Sequence, residues 1–141
     1  MLACDLNIQL TTQSWRERKA EEKREFEAGE ISADDCCMDQ LFPDAFIDKT
    51  ELILKEFVAA IDQCSSSAND FPQVRRSIET LVVALNKVNE DFDYGVIETD
   101  EREELCAFID KVIIAKGIDI EALAAAQNCS RNEITDQWRD W

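Results

Sequence analysis

The stretch that decides the fold is residues 70–117, which read DFPQVRRSIETLVVALNKVNEDFDYGVIETDEREELCAFIDKVIIAKG. Its apolar residues recur at spacings of three, four and one, which places them on one face of a helix with about 3.6 residues per turn. The first apolar set is Val74, Ile78, Leu81, Val82, Leu85 and Val88. The second apolar set is Leu105, Phe108, Ile109, Val112 and Ile113. The sequence therefore predicts two amphipathic helices, over residues 72–90 and 100–116.

The ends of these two helices carry residues that start and stop helices. Asp70 can cap the first helix, and Pro72 lies in its first turn, where a missing backbone N–H costs nothing. Thr99 is a suitable cap for the second helix, and Gly117 ends it. Because only a short acidic connection, residues 91–100, separates the helices, we expect them to form a central antiparallel hairpin.

Two helices are predicted before the hairpin. Ser14 can cap a helix over residues 15–28, in which five basic and five acidic residues leave few apolar ones. This helix either lies on the protein surface, anchored by Trp15 and Phe26, or is presented to a partner, and we favour the first interpretation. A strongly amphipathic helix over residues 44–64 supplies a third wall of the core.

Two shorter helices are predicted after the hairpin. Asp119 can cap the first of them, over residues 120–127. The sequence of residues 130–133, Ser-Arg-Asn-Glu, matches a capping box and predicts a second helix over residues 134–138.

The two ends of the chain are less regular. Apolar and polar residues alternate loosely over residues 2–10, as they do in a strand. The sequence offers no second strand to pair with this one, so we expect residues 1–13 to form an extended arm. Trp138 and Trp141 share one face; they either dock on the bundle, which we favour, or form an exposed anchor. The whole chain, residues 1–141, is thus predicted to be a single all-α domain, an irregular bundle of about five to six helices.

The composition narrows the classes of partner. Hydrophobic residues make up 45% of the chain, which is enough to build a core at this length. The 31 acidic and 15 basic residues give a formal net charge of −16, which repels nucleic acid and anionic membranes and suits a basic protein partner. Charge that serves solubility alone is the alternative. No apolar run approaches the length of a membrane span, and we expect a cytoplasmic protein with reduced cysteines.

The residue types that most catalytic and metal sites need are scarce. Histidine is absent, the six cysteines form no C-x-x-C motif, and the three glycines form no phosphate-binding loop. We therefore predict a non-catalytic protein without a cofactor. A calcium or small-ligand site on residues 89–100 is an alternative, since their oxygen-bearing side chains have part of an EF-hand's spacing. Against it, glycine falls one residue late, and Asp100 stands where a bidentate glutamate is usual.

Acidic and aromatic residues are concentrated around the connection between the two central helices. Between Asn86 and Asp110 there are nine acidic residues and two basic ones. Acidic groups raise the rate of association with a basic partner, and aromatic residues supply binding hot spots. The predicted partner-binding residues are Glu90, Asp91, Phe92, Asp93, Tyr94, Glu98, Asp100, Glu101 and Glu104. The alternative is that Phe92 covers the core and the acidic residues are merely solvated.

These observations lead to a hypothesis about function. Small size, strong acidity, helical structure and missing catalytic residues are properties shared by bacterial inhibitor and immunity proteins that cover a basic toxin or nuclease, although this is an analogy of properties alone. We expect an interaction module of that kind, with no nucleic-acid or membrane partner. A structural homo-oligomer, such as a homodimer formed through residues 15–28 or through the two C-terminal tryptophans, is a further alternative.

Overall fold

The computed structural model describes residues 8–36 and 42–141, which form five α-helices and no strand. The helices are α1 (Thr11–Glu27), α2 (Asp44–Asp62), α3 (Phe71–Asp91), α4 (Thr99–Ala115) and α5 (Ile120–Ala126). Three 3₁₀ turns lie at Ala33–Asp35, Ala68–Asp70 and Arg131–Glu133. The predicted all-α bundle is confirmed. Within the described ranges, no helix is both long enough and apolar enough to cross a bilayer.

The core lies along the apolar faces predicted for α3 and α4. Every apolar residue predicted for these two faces is buried. The neighbour of α3 differs from the prediction, however, because α2 rather than α4 packs most closely against it. The connection between α3 and α4 is itself folded into the core, where Val96 and Ile97 are buried. The central helix pair is therefore α2 with α3, and α4 completes the core beside them.

Helix α1 lies on the surface, as expected, but one aromatic residue anchors it instead of two. Trp15 is fully buried, and its ring centroid lies 5.2 Å from that of Phe42 and 5.9 Å from that of Phe46. Its Nε1 donates a hydrogen bond of 3.2 Å to Glu104 of α4. Phe26 is 46% exposed and, among the described residues, is not one of those that pack against the core. The prediction that Phe26 anchors the helix is wrong, because nearly half of its surface faces the solvent.

Helix starts differ from the prediction where a side chain finds another partner. The carboxylate of Asp70 accepts a hydrogen bond from the backbone N–H of Ser65 instead of capping α3, and this bond lowers the pKa of Asp70. The cap of α4 is Glu98, one residue before the predicted Thr99, because Glu98 and Glu101 form a capping box.

The two chain ends also need correction. Helix α1 begins at Thr11, before the predicted cap at Ser14, so residues 11–13 of the predicted arm are helical; residues 1–7 of that arm lie outside the described residues. At the other end the capping box of Ser130 and Glu133 is present, but turns replace the helix predicted over residues 134–138. A segment of five residues forms too few hydrogen bonds to offset the free-energy cost of helix nucleation.

The C-terminal tryptophans dock on the bundle, as expected. Trp138 and Trp141 are partly buried and pack against the core. Asn86 of α3 fixes this segment, since its Nδ2 donates to the carbonyl of Trp138 at 2.7 Å and its Oδ1 accepts from the N–H of Asp140 at 3.2 Å. The short α5 begins at the predicted cap, Asp119, whose side chain accepts from the N–H of Ala122 at 3.1 Å.

Candidate protein-interaction surface

The connection between α3 and α4 is held in an uncommon backbone conformation. Asp93 and Tyr94 both adopt the left-handed region, with φ of 60° and 58°. Such a conformation costs free energy in any residue with a Cβ atom, and two in succession are rare. Backbone hydrogen bonds fix it, because the N–H of Tyr94 donates to the carbonyl of Asn89 at 2.8 Å and that of Gly95 donates to Phe92 at 3.1 Å. The connection is therefore an ordered, strained feature of the surface.

Asn89 ties the two ends of the connection together, a role that the sequence pattern did not indicate. It is buried, and its Oδ1 accepts a hydrogen bond of 3.2 Å from the backbone N–H of Ile97. The calcium alternative needs this oxygen as a ligand, yet it already has a donor. Within residues 8–36 and 42–141, no three acidic or cysteine side chains come together in a way that could hold a metal ion. No observation favours the calcium alternative.

The two aromatic residues of the connection have different environments. Phe92 is half-buried, and its ring meets that of Phe46 edge-on at a centroid distance of 5.5 Å. Lys49 Nζ lies 5.7 Å from the centroid of the Phe92 ring. Tyr94 is 55% exposed. Phe92 thus covers the core, while Tyr94 presents its ring to the solvent.

Three of the predicted binding residues are occupied by structural contacts on α4. Glu98 and Glu101 form the capping box described above. Glu104 accepts from one guanidinium nitrogen of Arg18 at 2.8 and 2.9 Å, in addition to its bond from Trp15, and so joins α4 to α1. Asp100 is exposed in the first turn of α4, where the helix dipole stabilises a negative charge. These four acidic residues have a local explanation that requires no partner.

Of the three acidic residues at the end of α3, only Asp91 forms an ion pair in the described part of the chain. Glu90 and Asp91 are the last two residues of the helix, and Asp93 follows its C-cap. The C-terminal end of a helix carries a partial negative charge, so each carboxylate there is unfavourable by about 0.3–1 kcal/mol. Asp91 pairs with Lys87 at 2.9 Å, which raises the pKa of that lysine. Among the described residues, no cation lies within 4.0 Å of the Glu90 or Asp93 carboxylates.

The structure therefore divides the predicted binding surface into two parts. We call Glu90, Asp91, Asp93 and Tyr94 the α3-end patch. Its members are exposed, lie within five consecutive residues and stand where folding alone disfavours them. The remaining predicted residues serve the fold, through the core contact of Phe92 and the α4 contacts of the acidic residues. A binding role rests best on the α3-end patch.

Replacing Tyr94 with glycine is expected to stabilise the protein. Glycine adopts φ of 58° without the Cβ clash, which recovers about 1–2 kcal/mol, while the greater freedom of glycine in the unfolded chain costs about 0.5–1 kcal/mol. Urea unfolding is expected to show a net gain of about 1 kcal/mol. Tyr94→Ala, which keeps a Cβ atom but loses the ring, is the control and gains nothing. If the glycine variant is no more stable than the alanine variant, the backbone at Tyr94 is not strained.

Comparison with known protein families gives a match over more than half of the chain. A model of the family described as "Family of unknown function (DUF5713)" matches residues 29–129. The matched residues include α2 to α5, the connection between α3 and α4 and the whole α3-end patch. No curated protein and no solved structure matches the chain.

Proposed function

We propose a function for this chain, which belongs to the DUF5713 family of unknown function: it is a non-catalytic module that binds a basic protein through the α3-end patch. The single observation that carries the proposal is the position of Glu90, Asp91 and Asp93. They crowd negative charge onto the C-terminal end of α3, around a strained and exposed tyrosine. Natural proteins often break a local rule of stability at a functional site, and Glu90 and Asp93 break one without an ion pair among the described residues.

Charge kept for solubility alone has no reason to collect at this point. Solubility depends on net charge, and any exposed position serves it equally well. Acidic residues in the first turn of a helix supply the same charge and also stabilise the fold, as Asp100 does. An acidic patch at the C-terminal end of a helix lowers the stability of the fold but creates a local negative electrostatic field. Such a field attracts a basic partner, and Tyr94 then offers a ring that becomes buried in the complex.

The kind of partner that we propose follows from the chemistry of the patch. A basic toxin or nuclease has the complementary surface, and the protein acts on it as an inhibitor or immunity-type protein. We place this function in the bacterial cytoplasm. Cys64, Cys106 and Cys129 form no disulfide in the part of the chain that the structure describes, which is consistent with a reducing compartment.

Affinity capture with matched variants tests the proposal. The double variant Glu90→Lys/Asp93→Lys reverses two charges of the α3-end patch. The control Glu27→Lys/Glu30→Lys makes the same change in net charge at the C-terminal end of α1, where both side chains are also exposed. We expect wild type and control to retain one basic protein that raised salt releases, and the α3-end variant to lose it. Retention by the α3-end variant, or no basic protein on wild type, overturns the proposal.

A further inference from the structure

A cleft of about 630 Å³ lies at the opposite end of α3 from the α3-end patch. Phe71 and Pro72 form one side of it, at the start of α3, and Leu123 and Ala126 of α5 form the other. Its volume falls in the range of sites for small molecules, and its walls are largely apolar, as such sites usually are. About 21 Å of helix separates Arg76, which lines the cleft, from Glu90.

The cleft carries positive charge on a strongly negative protein. Arg75 and Arg76 line it together with one carboxylate, that of Glu79. Among the described residues, no acidic side chain lies within 4.0 Å of either guanidinium group, although nine other basic side chains form ion pairs. Acidic residues outnumber basic ones by two to one in this chain, whereas this cleft is lined by two arginines and one glutamate and so has a net positive charge.

Neutral groups hold Arg75 in position. Its guanidinium carbon lies 5.7 Å from the centroid of the Trp138 ring, an arrangement that fixes the side chain and leaves its charge available. The side-chain oxygen of Gln137, once its amide is turned towards them, accepts from Arg75 at 3.0 Å and from Trp138 Nε1 at 3.1 Å. A carboxylate in either place would neutralise the arginine. The C-terminal segment thus positions a guanidinium group at the cleft without satisfying its charge.

We propose that this cleft binds a small organic anion. Its carboxylate or phosphate group pairs with Arg75 and Arg76, since guanidinium groups match the geometry of both oxyanions. Its apolar body lies against Phe71, Pro72 and Ala126. Nucleic acid does not fit as the anion, because the net charge of −16 repels a polyanion. The site is independent of the proposed function, because it shares no residue with the α3-end patch.

Calorimetric titration of the full chain with decanoate and with decyl phosphate, below their micelle concentrations, tests this site. Decanol and decyltrimethylammonium are the neutral and cationic probes of matched length. We expect both anions to bind and to change the tryptophan fluorescence, because an anion that engages Arg75 alters the surroundings of Trp138. The neutral and cationic probes are expected to bind at least tenfold more weakly. Binding of decanol as tight as that of decanoate, or no binding of either anion, overturns the proposal.

Variants separate the arginines from general charge effects. Arg75→Gln/Arg76→Gln is expected to weaken decanoate binding at least tenfold. The control Arg102→Gln/Lys111→Gln removes two positive charges from α4, outside the cleft, and leaves binding unchanged. Arg76→Gln alone, at an exposed residue, keeps the test valid should loss of the Arg75–Trp138 contact unfold the protein. Equal binding by both double variants overturns the site. So does binding of an acidic peptide by wild type when decanoate fails, which assigns the cleft to a protein partner.

These results are distinct from those on the proposed function. Glu90→Lys/Asp93→Lys is expected to bind decanoate like wild type, and Arg75→Gln/Arg76→Gln to capture the basic partner like wild type. A negative result for one proposed site therefore does not refute the other.

Discussion

Replacing Trp15 with alanine is expected to lower the free energy of unfolding by about 3–5 kcal/mol, the cost of deleting a large buried aromatic side chain. The ring is fully buried between Phe42 and Phe46, so its removal leaves a cavity between α1 and α2. Glu104 loses the hydrogen bond from Trp15 as well and keeps the one from Arg18. Since single domains are stable by about 5–15 kcal/mol in total, this one substitution removes a large part.

Urea unfolding followed by circular dichroism measures the effect without relying on the deleted fluorophore. Phe26→Ala is the matched control, because Phe26 lies on the same helix but is 46% exposed; its cost is expected to stay near 0.5 kcal/mol. Trp15→Phe keeps an aromatic ring and deletes the N–H group, which isolates the bond to Glu104. If Trp15→Ala costs no more than Phe26→Ala, the anchoring role of Trp15 is refuted.

The contrast between Trp15 and Phe26 shows what periodicity can and cannot predict. Within α3 and α4 the apolar spacing identified every buried apolar residue of the two faces, because a continuous apolar stripe is buried as a unit. In α1 there is no stripe, only two aromatic residues among charges. Which of them is buried depends on rings brought there from residues 42 and 46, and no local pattern contains that information.

The same limit explains the error about the neighbour of α3. The sequence indicates only that the connection is short and acidic. Val96 and Ile97 nevertheless enter the core, and the buried amide of Asn89 satisfies the backbone N–H of Ile97. Two apolar residues in a turn produce no periodic signal. The closest packing partner of α3 could therefore not be predicted from the sequence, although α3 and α4 were both predicted with nearly correct bounds.

The candidate site was predicted as a region but not residue by residue. Counting charges located the acidic concentration around the connection. It could not separate Glu104, whose partners on α1 are 86 and 89 residues away in the sequence, from Glu90, which among the described residues forms no ion pair and is only attracted at longer range by Lys87. The predicted helix ends do distinguish Glu90, at the unfavourable end of its helix dipole, from Asp100, at the favourable end of its own. Arg75 and Arg76 lie off the apolar stripe of α3, so the sequence pattern indicates only that these positions are polar.

Reversing the charge of the α3-end patch is expected to have opposite effects on stability and on binding. In Glu90→Lys/Asp93→Lys, two positive charges replace two negative ones at the C-terminal end of α3. Each exchange favours the helix dipole by about 0.3–1 kcal/mol, so the free energy of unfolding rises. Association with the basic partner is expected to slow by about 10- to 100-fold at low salt, because the field that steers the encounter is reversed.

Stopped-flow association at several salt concentrations measures the second effect, with the captured partner as ligand. The control Glu27→Lys/Glu30→Lys changes the net charge equally and also favours its own helix dipole. Net charge alone predicts the same slowing in both variants, whereas a local patch predicts slowing only when Glu90 and Asp93 are changed. The rate difference between the variants is expected to shrink as salt rises, since the Debye length falls from about 10 Å at 0.1 M to about 3 Å at 1 M. If Glu90→Lys/Asp93→Lys gains stability and loses partner binding, the binding function explains why the sequence has carboxylates at a position that the fold alone disfavours. Equal slowing in both variants refutes that explanation and the proposed role of the α3-end patch.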